Sequence, residues 1–414
     1  MNNLEKLINK LCPDGVEYKK IGEVFNVITD YTAAGSFADI AKNVTYLKEQ
    51  DYAQLIRTTD LKSKFSNPES FVYVDEHAFN YLWRVNINED CIVMPNVGNC
   101  GEVYYVEPSK LPNTNNVLGP NAVLLRAENN NLKYLYYCLD NKIFKKKLRK
   151  ITSSTGQSKF NKTNLKDLTI PLPPLEIQSE IVHILDDFTS LLEELSAELN
   201  IRQKQYSYYK DNSIMNAQNT KKYKLSDIAK IYDGTHQTPQ YTNSGVSFIS
   251  VENILDIYQS KKYISKEDYD KYKVKPEIGD VFMTRIGTIG KCAIYDKKMD
   301  LAYYVSLALI RPDKEIINSY YLKYLIESTI GAKELRKRTL VNAVPIKINK
   351  DDIGKIVLPI PPLDVQEKIV RILDKFENIC NNITSGLPAE IEKRQMQYEY
   401  YRDLLLNFKE VQHE

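Results

Sequence analysis

Residues 171–188 read PLPPLEIQSEIVHILDDF, and residues 359–376 read PIPPLDVQEKIVRILDKF. The two stretches are identical at 11 of 18 positions, at an offset of 188. A second block follows each. RQKQYSYYKD at 202–211 matches RQMQYEYYRD at 394–403 in seven of ten positions, now at an offset of 192. Internal repetition constrains the fold more than any local propensity does, so the chain is read as two tandem halves.

Each repeated block opens on Pro-Pro, which suits a helix start because the first-turn N–H groups have no intrahelical partner. In the first block the apolar positions Ile177, Ile181, Ile184, Phe188, Leu191, Leu195 and Leu199 are spaced almost throughout by three or four, and Tyr206 and Tyr209 continue the face. In the second, Val365, Ile369, Ile372, Phe376, Ile379, Ile383 and Leu387 repeat the pattern, followed by Ile391, Tyr398, Tyr401 and Leu405. That spacing predicts two long amphipathic helices with a coiled-coil seam. The offset grows by four residues near 387–391. A four-residue insertion keeps the seam in phase, and Gly386 and Pro388 predict a kink or short break there. A lone helix of this kind would expose its stripe, whereas two equal ones packed antiparallel bury it and create a pseudo-two-fold axis.

The stretches between the helices match only faintly. Gly98 and Gly101 in NVGNCGEV parallel Gly287 and Gly290 in RIGTIGKC, and LRK recurs at 148–150 and 335–337. They mix short β-branched and aromatic runs (71–74, 103–106, 123–125, 246–251, 307–310) with turn signals, and each ends in a predicted helix, near 131–150 and 318–338. The predicted class is therefore α+β. It comprises α/β domains at 1–170 and 217–358, a central helix at 171–216 and a distal helix at 359–414. The longest apolar run, LAYYVSLALI at 301–310, is too short for a membrane span and reads as a buried strand.

Composition narrows the function. The chain has 414 residues, net charge +2, six cysteines without a CxxC pair and four scattered histidines. A structural zinc site is not expected, and reduced thiols in the cytoplasm are. The N-terminus lacks the apolar region and cleavage site of a signal peptide. A near-neutral chain can still bind nucleic acid if its cations gather on one face. The densest basic run is Lys145, Lys146, Lys147, Arg149 and Lys150, followed by Ser153, Ser154, Thr155, Gln157 and Lys159. The corresponding residues of the second half are Lys333, Arg336, Lys337 and Arg338, then Asn342 and Lys347. A basic helix end with a polar loop can hold phosphates and reach base edges. The paired-glycine loops add Asn96, Asn99, Arg285 and Thr288, side chains suited to major-groove readout. Trp83 reads as a core residue, as do most of the clustered tyrosines; the outward-facing tyrosines would be interface anchors.

The blocks PLPPLEIQSEIVHILDDF and PIPPLDVQEKIVRILDKF, the tail GLPAEIEKRQMQYEYYRDLLL and the opening LCPDGVEYKKIGEV resemble the specificity subunits of type I restriction-modification enzymes. The resemblance covers the whole chain in the order recognition domain, helix, recognition domain, helix. It implies an asymmetric bipartite target on double-stranded DNA, each domain reading one half. It also implies partnership with two methyltransferase subunits and with restriction-translocase subunits. S-adenosylmethionine, ATP and Mg would then sit on those partners, with no cofactor and no catalytic residue in this chain. Two other readings compete: a methyltransferase or nuclease fused to a recognition domain, and a coiled-coil scaffold without a DNA role. Against the first, both Pro-Pro pairs are followed by leucine and a helix rather than by the aromatic residue of an adenine-methylase pocket. IGTIGKC at 286–292 likewise lacks the earlier Gly and the Ser/Thr of a phosphate-binding loop.

Overall fold

The computed structural model describes residues 2–153, 157–381 and 386–411. The chain divides into two compact units. One comprises residues 1–194 with 392–414, the other residues 195–391.

In the first unit a four-stranded antiparallel sheet runs in the order Val27–Asp30, Ala122–Arg126, Cys91–Pro95, Tyr104–Val106. A three-stranded sheet runs Tyr73–Val74, Ala53–Ile56, Asn116–Leu118, its last pair parallel. Strand Cys91–Pro95 is buried along its whole length. Its side chains alternate between two cores, because successive side chains point to opposite faces. Ile92 and Met94 join the core that carries the helices, with Val123, Leu125, Tyr134 and Phe144. Cys91 and Val93 join the core under the small sheet, with Leu55, Val74 and Val117.

The second unit repeats this strand for strand. Its large sheet is ordered Ala229–Asp233, Leu307–Pro312, Val281–Thr284, Cys292–Ile294, and its small sheet Tyr263–Ile264, Val246–Ile249, Leu301–Tyr303. Val281 and Met283 face the helices, while Phe282 faces the small sheet. The apolar run 301–310 is thus two strands rather than the single strand expected. Its first three residues serve the small sheet and Leu307 onward the large one.

Two further expectations are corrected. Each domain ends in two helices, not one: Leu132–Asp140 then Lys142–Ile151, and Ser319–Ile326 then Thr329–Arg336. Asn141 and Ser328 restart the helix, their side chains accepting from Phe144 N at 2.7 Å and Gly331 N at 3.3 Å. Trp83 lies on the surface, 65 % exposed, with the Arg84 guanidinium 5.0 Å from its ring.

The central helix, Leu175–Met215, is continuous over 41 residues, and the distal repeat forms Leu363–Asn381 and Leu387–Leu405 with Gly386 in the gap. Leu175 and Leu363 start directly after their Pro-Pro pairs. In each unit the start of the helix is locked to its domain by equivalent bonds. Gln178 Nε2 donates to Pro173 O at 2.8 Å while its Oε1 accepts from Asn131 N at 3.0 Å. Gln366 does the same with Pro361 O at 2.8 Å and Asn318 N at 2.8 Å. Tyr134 and Tyr321 donate to the carbonyls of Pro171 and Pro359, and Tyr137 and Tyr324 to the carboxylates of Asp186 and Asp374.

Helix pairing is crossed. In the second unit, Tyr209 stacks on Phe376 with ring centroids 5.2 Å apart. Gln203 and Tyr206, one to two turns earlier, line one cavity with Glu377 and Cys380, so the two stretches run antiparallel. In the first unit the equivalent pair, Phe188 and Tyr401, stacks at 5.5 Å. Each repeat therefore lends its C-terminal half to the unit that holds the other repeat's N-terminal half. The seam differs from its expected course. Ile372 and Ile379 are 48 % and 43 % exposed, whereas Val370, Leu373 and Cys380 are buried. The helix must present its first turns to its own domain, where Ile369, Val370 and Leu373 enter the core, and that docking rotates the buried stripe. Ile383 lies outside the described residues.

Because Gln366 is fully buried, Gln366→Leu strands Asn318 N–H and Pro361 C=O without partners. The expected loss is about 1–3 kcal/mol per unsatisfied group. Urea unfolding of the variant measures it, and an unchanged midpoint would remove the lock from this account.

Candidate nucleic-acid interface

The two features that sequence reading singled out separately, the paired-glycine loop and the loop after the basic helix, are one structure in each unit. In the first, Gly98 N donates to Ser158 O at 2.7 Å, Ser153 N to Lys159 O at 2.9 Å and Phe160 N to Asn96 O at 3.1 Å. In the second, Gly287 N donates to Ile346 O at 2.8 Å, Leu340 N to Lys347 O at 2.8 Å and Ile348 N to Arg285 O at 3.0 Å. The donors and acceptors correspond one for one. All four glycines have positive φ: +84° and +108° at Gly98 and Gly101, +75° and +86° at Gly287 and Gly290. Side-chain-bearing residues rarely adopt that backbone, which explains why glycine recurs where little else does.

Between this double loop and the basic helix lies an open cavity in each unit. The first is about 450 Å³, lined among others by Asn99, Glu102, Lys145 and Arg149. The second is about 480 Å³, lined among others by Thr288, Arg336, Val341 and Ile346. Arg149 and Arg336 occupy equivalent positions on the two basic helices, and both are exposed.

The other predicted residues divide into three groups. Lys146, Lys150, Gln157, Lys159, Asn99, Thr288, Lys333, Asn342 and Lys347 are exposed on or beside the double loops, and Ser153 is half-buried at the closing bridge. Lys145, Lys337 and Arg338 are held by nearby acids: Asp140, at the end of the preceding helix, 2.6 Å from Lys145, and Glu334 for the other two. Lys147, Arg285 and Asn96 turn inward. Lys147 donates to Thr169 O at 2.9 Å and to its Oγ1 at 3.0 Å. It lies 5.3 Å from the Tyr18 ring, and burial lowers its pKa. Arg285 is buried against Asp233 and Ile348 O, so its fork is spent inside the protein. Asn96 Oδ1 is buried without a hydrogen-bond partner. These three place the loops rather than project from them. Ser154 and Thr155 lie outside the described residues.

Sequence reasoning missed Asp30 and Asp233, the acidic ends of two equivalent strands. Asp30 takes Lys162 at 2.9 Å and Asp233 takes Arg285. Nothing in the local pattern marks these partners, which are separated by 132 and 52 residues. The outward tyrosines Tyr208 and Tyr400, equivalent in the repeat, are exposed. Each lines a shallow cavity, beside Met215 in one unit and beside Met396 and Leu404 in the other. Among the described residues there is no group of three or more His, Cys, Asp or Glu placed to hold a metal ion, and no helix long and apolar enough to cross a membrane.

Comparison with known proteins adds a family. The model of the type I restriction modification DNA specificity domain matches residues 13–202 and 218–393. A putative type I restriction enzyme specificity subunit of Haemophilus influenzae is 34 % identical over 292 residues, covering 67 % of this chain and 72 % of that one. A type I restriction enzyme specificity subunit of Escherichia coli is 32 % identical over 302 residues, covering 67 % and 71 %. Among solved structures, the S subunit of a type I restriction-modification system from M. genitalium shares the fold at a TM-score of 0.55 and 13 % identity, over 95 % of this chain and 96 % of that one. A chain from a study of complex assembly and conformational transition of the type I system shares it at 0.58 and 16 % identity, over 95 % and 98 %.

Gly290→Ala puts a methyl 2.8 Å from Leu335 Cδ1 as well as imposing the positive φ, whereas Gly101→Ala meets only the backbone cost. Both variants should lose about 1–2 kcal/mol to the left-handed backbone, with the larger loss at Gly290. Thermal unfolding of the two side by side checks the order.

Proposed function

Given that the chain belongs to the type I restriction-modification DNA specificity family, we propose that it reads an asymmetric bipartite DNA target, one half-site per unit, and catalyses nothing itself. The observation that carries this reading is the double loop. It recurs in both units with matching backbone hydrogen bonds and one shared lysine, Lys159 or Lys347, while the other exposed side chains it displays differ: Asn99 and Gln157 in one, Thr288 and Asn342 in the other. A shared frame with different displays suits two halves of unlike sequence. Lys146, Arg149 and Lys150 on one side and Lys333 and Arg336 on the other are the phosphate contacts, since exposed cations at a helix end supply sequence-independent attraction.

The partners follow from the family. Two methyltransferase subunits would carry S-adenosylmethionine and methylate adenine. Restriction-translocase subunits would carry ATP and Mg. The exposed Tyr208 and Tyr400, each beside apolar Met or Leu side chains, are the anchors best suited to receive the two methyltransferase copies, because Tyr at a packed patch dominates many interfaces. A cytoplasmic location fits the six unpaired cysteines.

Methylome sequencing of cells carrying the complete system should return a bipartite, asymmetric methylated motif. Replacing residues 217–358 with another recognition domain should alter one half-site only; alteration of both would overturn the assignment of one half to each unit. Arg149→Ala and Arg336→Ala should each weaken binding across all sequences and reduce the salt slope by about one. Loss confined to particular base pairs would make them base readers instead. Tight binding of labelled S-adenosylmethionine by the chain alone would count against a non-catalytic role.

A further inference from the structure

The tip of the second unit's double loop is apolar, and the corresponding sequence in the first is not. Between the bridge positions Leu340 and Lys347 the chain reads VNAVPI; between Ser153 and Lys159 it reads STGQS. Val344 is 99 % exposed and Val341 60 %, with Leu340 and Ile346 also exposed. Branched apolar side chains displayed in this way sacrifice burial, so a surface that covers them in the working complex would recover it. What surrounds them narrows that surface. Arg336 shares the cavity with Val341 and Ile346, and exposed Lys333, Asn342 and Lys347 stand on the same helix and loop. Cations beside apolar tips complement a polyanion that also carries methyl groups. The major groove of DNA is such a surface, because thymine alone among the four bases presents a C5-methyl there.

We propose that residues 341–346 read thymine methyl groups in the half-site of the second unit, with Val344 and Val341 as the specificity-determining contacts. The inference rests on the DNA-reading function proposed above. Hydrogen-bond donors and acceptors on the equivalent loop of the first unit, Gln157 among them, would select bases by polar contacts instead.

The test uses the complex of this chain with its methyltransferase partner and a duplex bearing the methylated motif. The half-site of residues 217–358 is identified by the domain exchange. Each thymine of that half-site is replaced in turn by deoxyuridine, which keeps every hydrogen-bonding atom and removes the methyl. At least one replacement should weaken binding about fourfold, the worth of one buried methyl-sized group. In the Val344→Ser complex, or the Val341→Ser complex, the same replacement should cost little, since the partner of the methyl is already gone. Both side chains are exposed, so neither variant threatens folding. Normal binding of the thymine duplex with no effect of any uracil, or a half-site without thymine, overturns the inference and leaves the DNA-reading function standing. Failure of the unmodified complex to bind its methylated motif overturns that function. Variants that keep uracil discrimination but lose the methyltransferase partner assign the apolar tip to a protein contact, which also overturns the inference.

Discussion

Each recognition domain is fastened to the head of a long helix by bonds centred on one buried amide. Gln178 and Gln366 are almost completely inaccessible, and each spans from the carbonyl of the first proline of a Pro-Pro pair to the backbone N–H at the cap of a domain helix. A buried amide with its hydrogen bonds made holds one geometry, since every alternative leaves polar atoms unpaired. The Tyr–carbonyl bonds one turn further along the domain helix, and the Tyr–carboxylate bonds two turns along, work in the same direction. The long helix is therefore a fixed continuation of the domain, and the loops that project from the domain inherit its orientation.

That fastening explains why the helices depart from a simple coiled coil. A stripe committed to the domain over the first three turns cannot also serve another helix, so Val370 and Leu373 are buried where Ile372 is left in solvent. Further along, aromatic stacking takes over, with Phe376 on Tyr209 and Phe188 on Tyr401. Crossing the pairs between repeats makes each compact unit depend on residues from distant parts of the chain. This agrees with a core in which Tyr398 and Leu406 sit beside residues of the first domain.

The double loop is one frame with two different displays. Its backbone bonds and positive-φ glycines set where the loop stands, and they recur in both units. The exposed side chains contribute little to that placement, so they are free to differ. Arg285 and Lys147 illustrate the limit of reading residue type alone. Both are cations in candidate segments, and both are used to hold the frame, because a half-buried acid or a carbonyl was within reach.

The repeated Pro-Pro blocks, their spacing of three and four and the four-residue offset change determined from sequence alone that two long helices follow two domains. They also placed an interruption near Gly386. Period and punctuation survive in sequence because they are local. The recurring glycine pairs and basic runs likewise marked the loops as candidate sites. Tertiary structure alone decided that these two features join, that Arg285 and Lys147 face inward while Val341 and Val344 face out, and that Trp83 is on the surface. Those outcomes depend on which partner lies across the fold, tens of residues away in the chain, and no local pattern of residues encodes that distance.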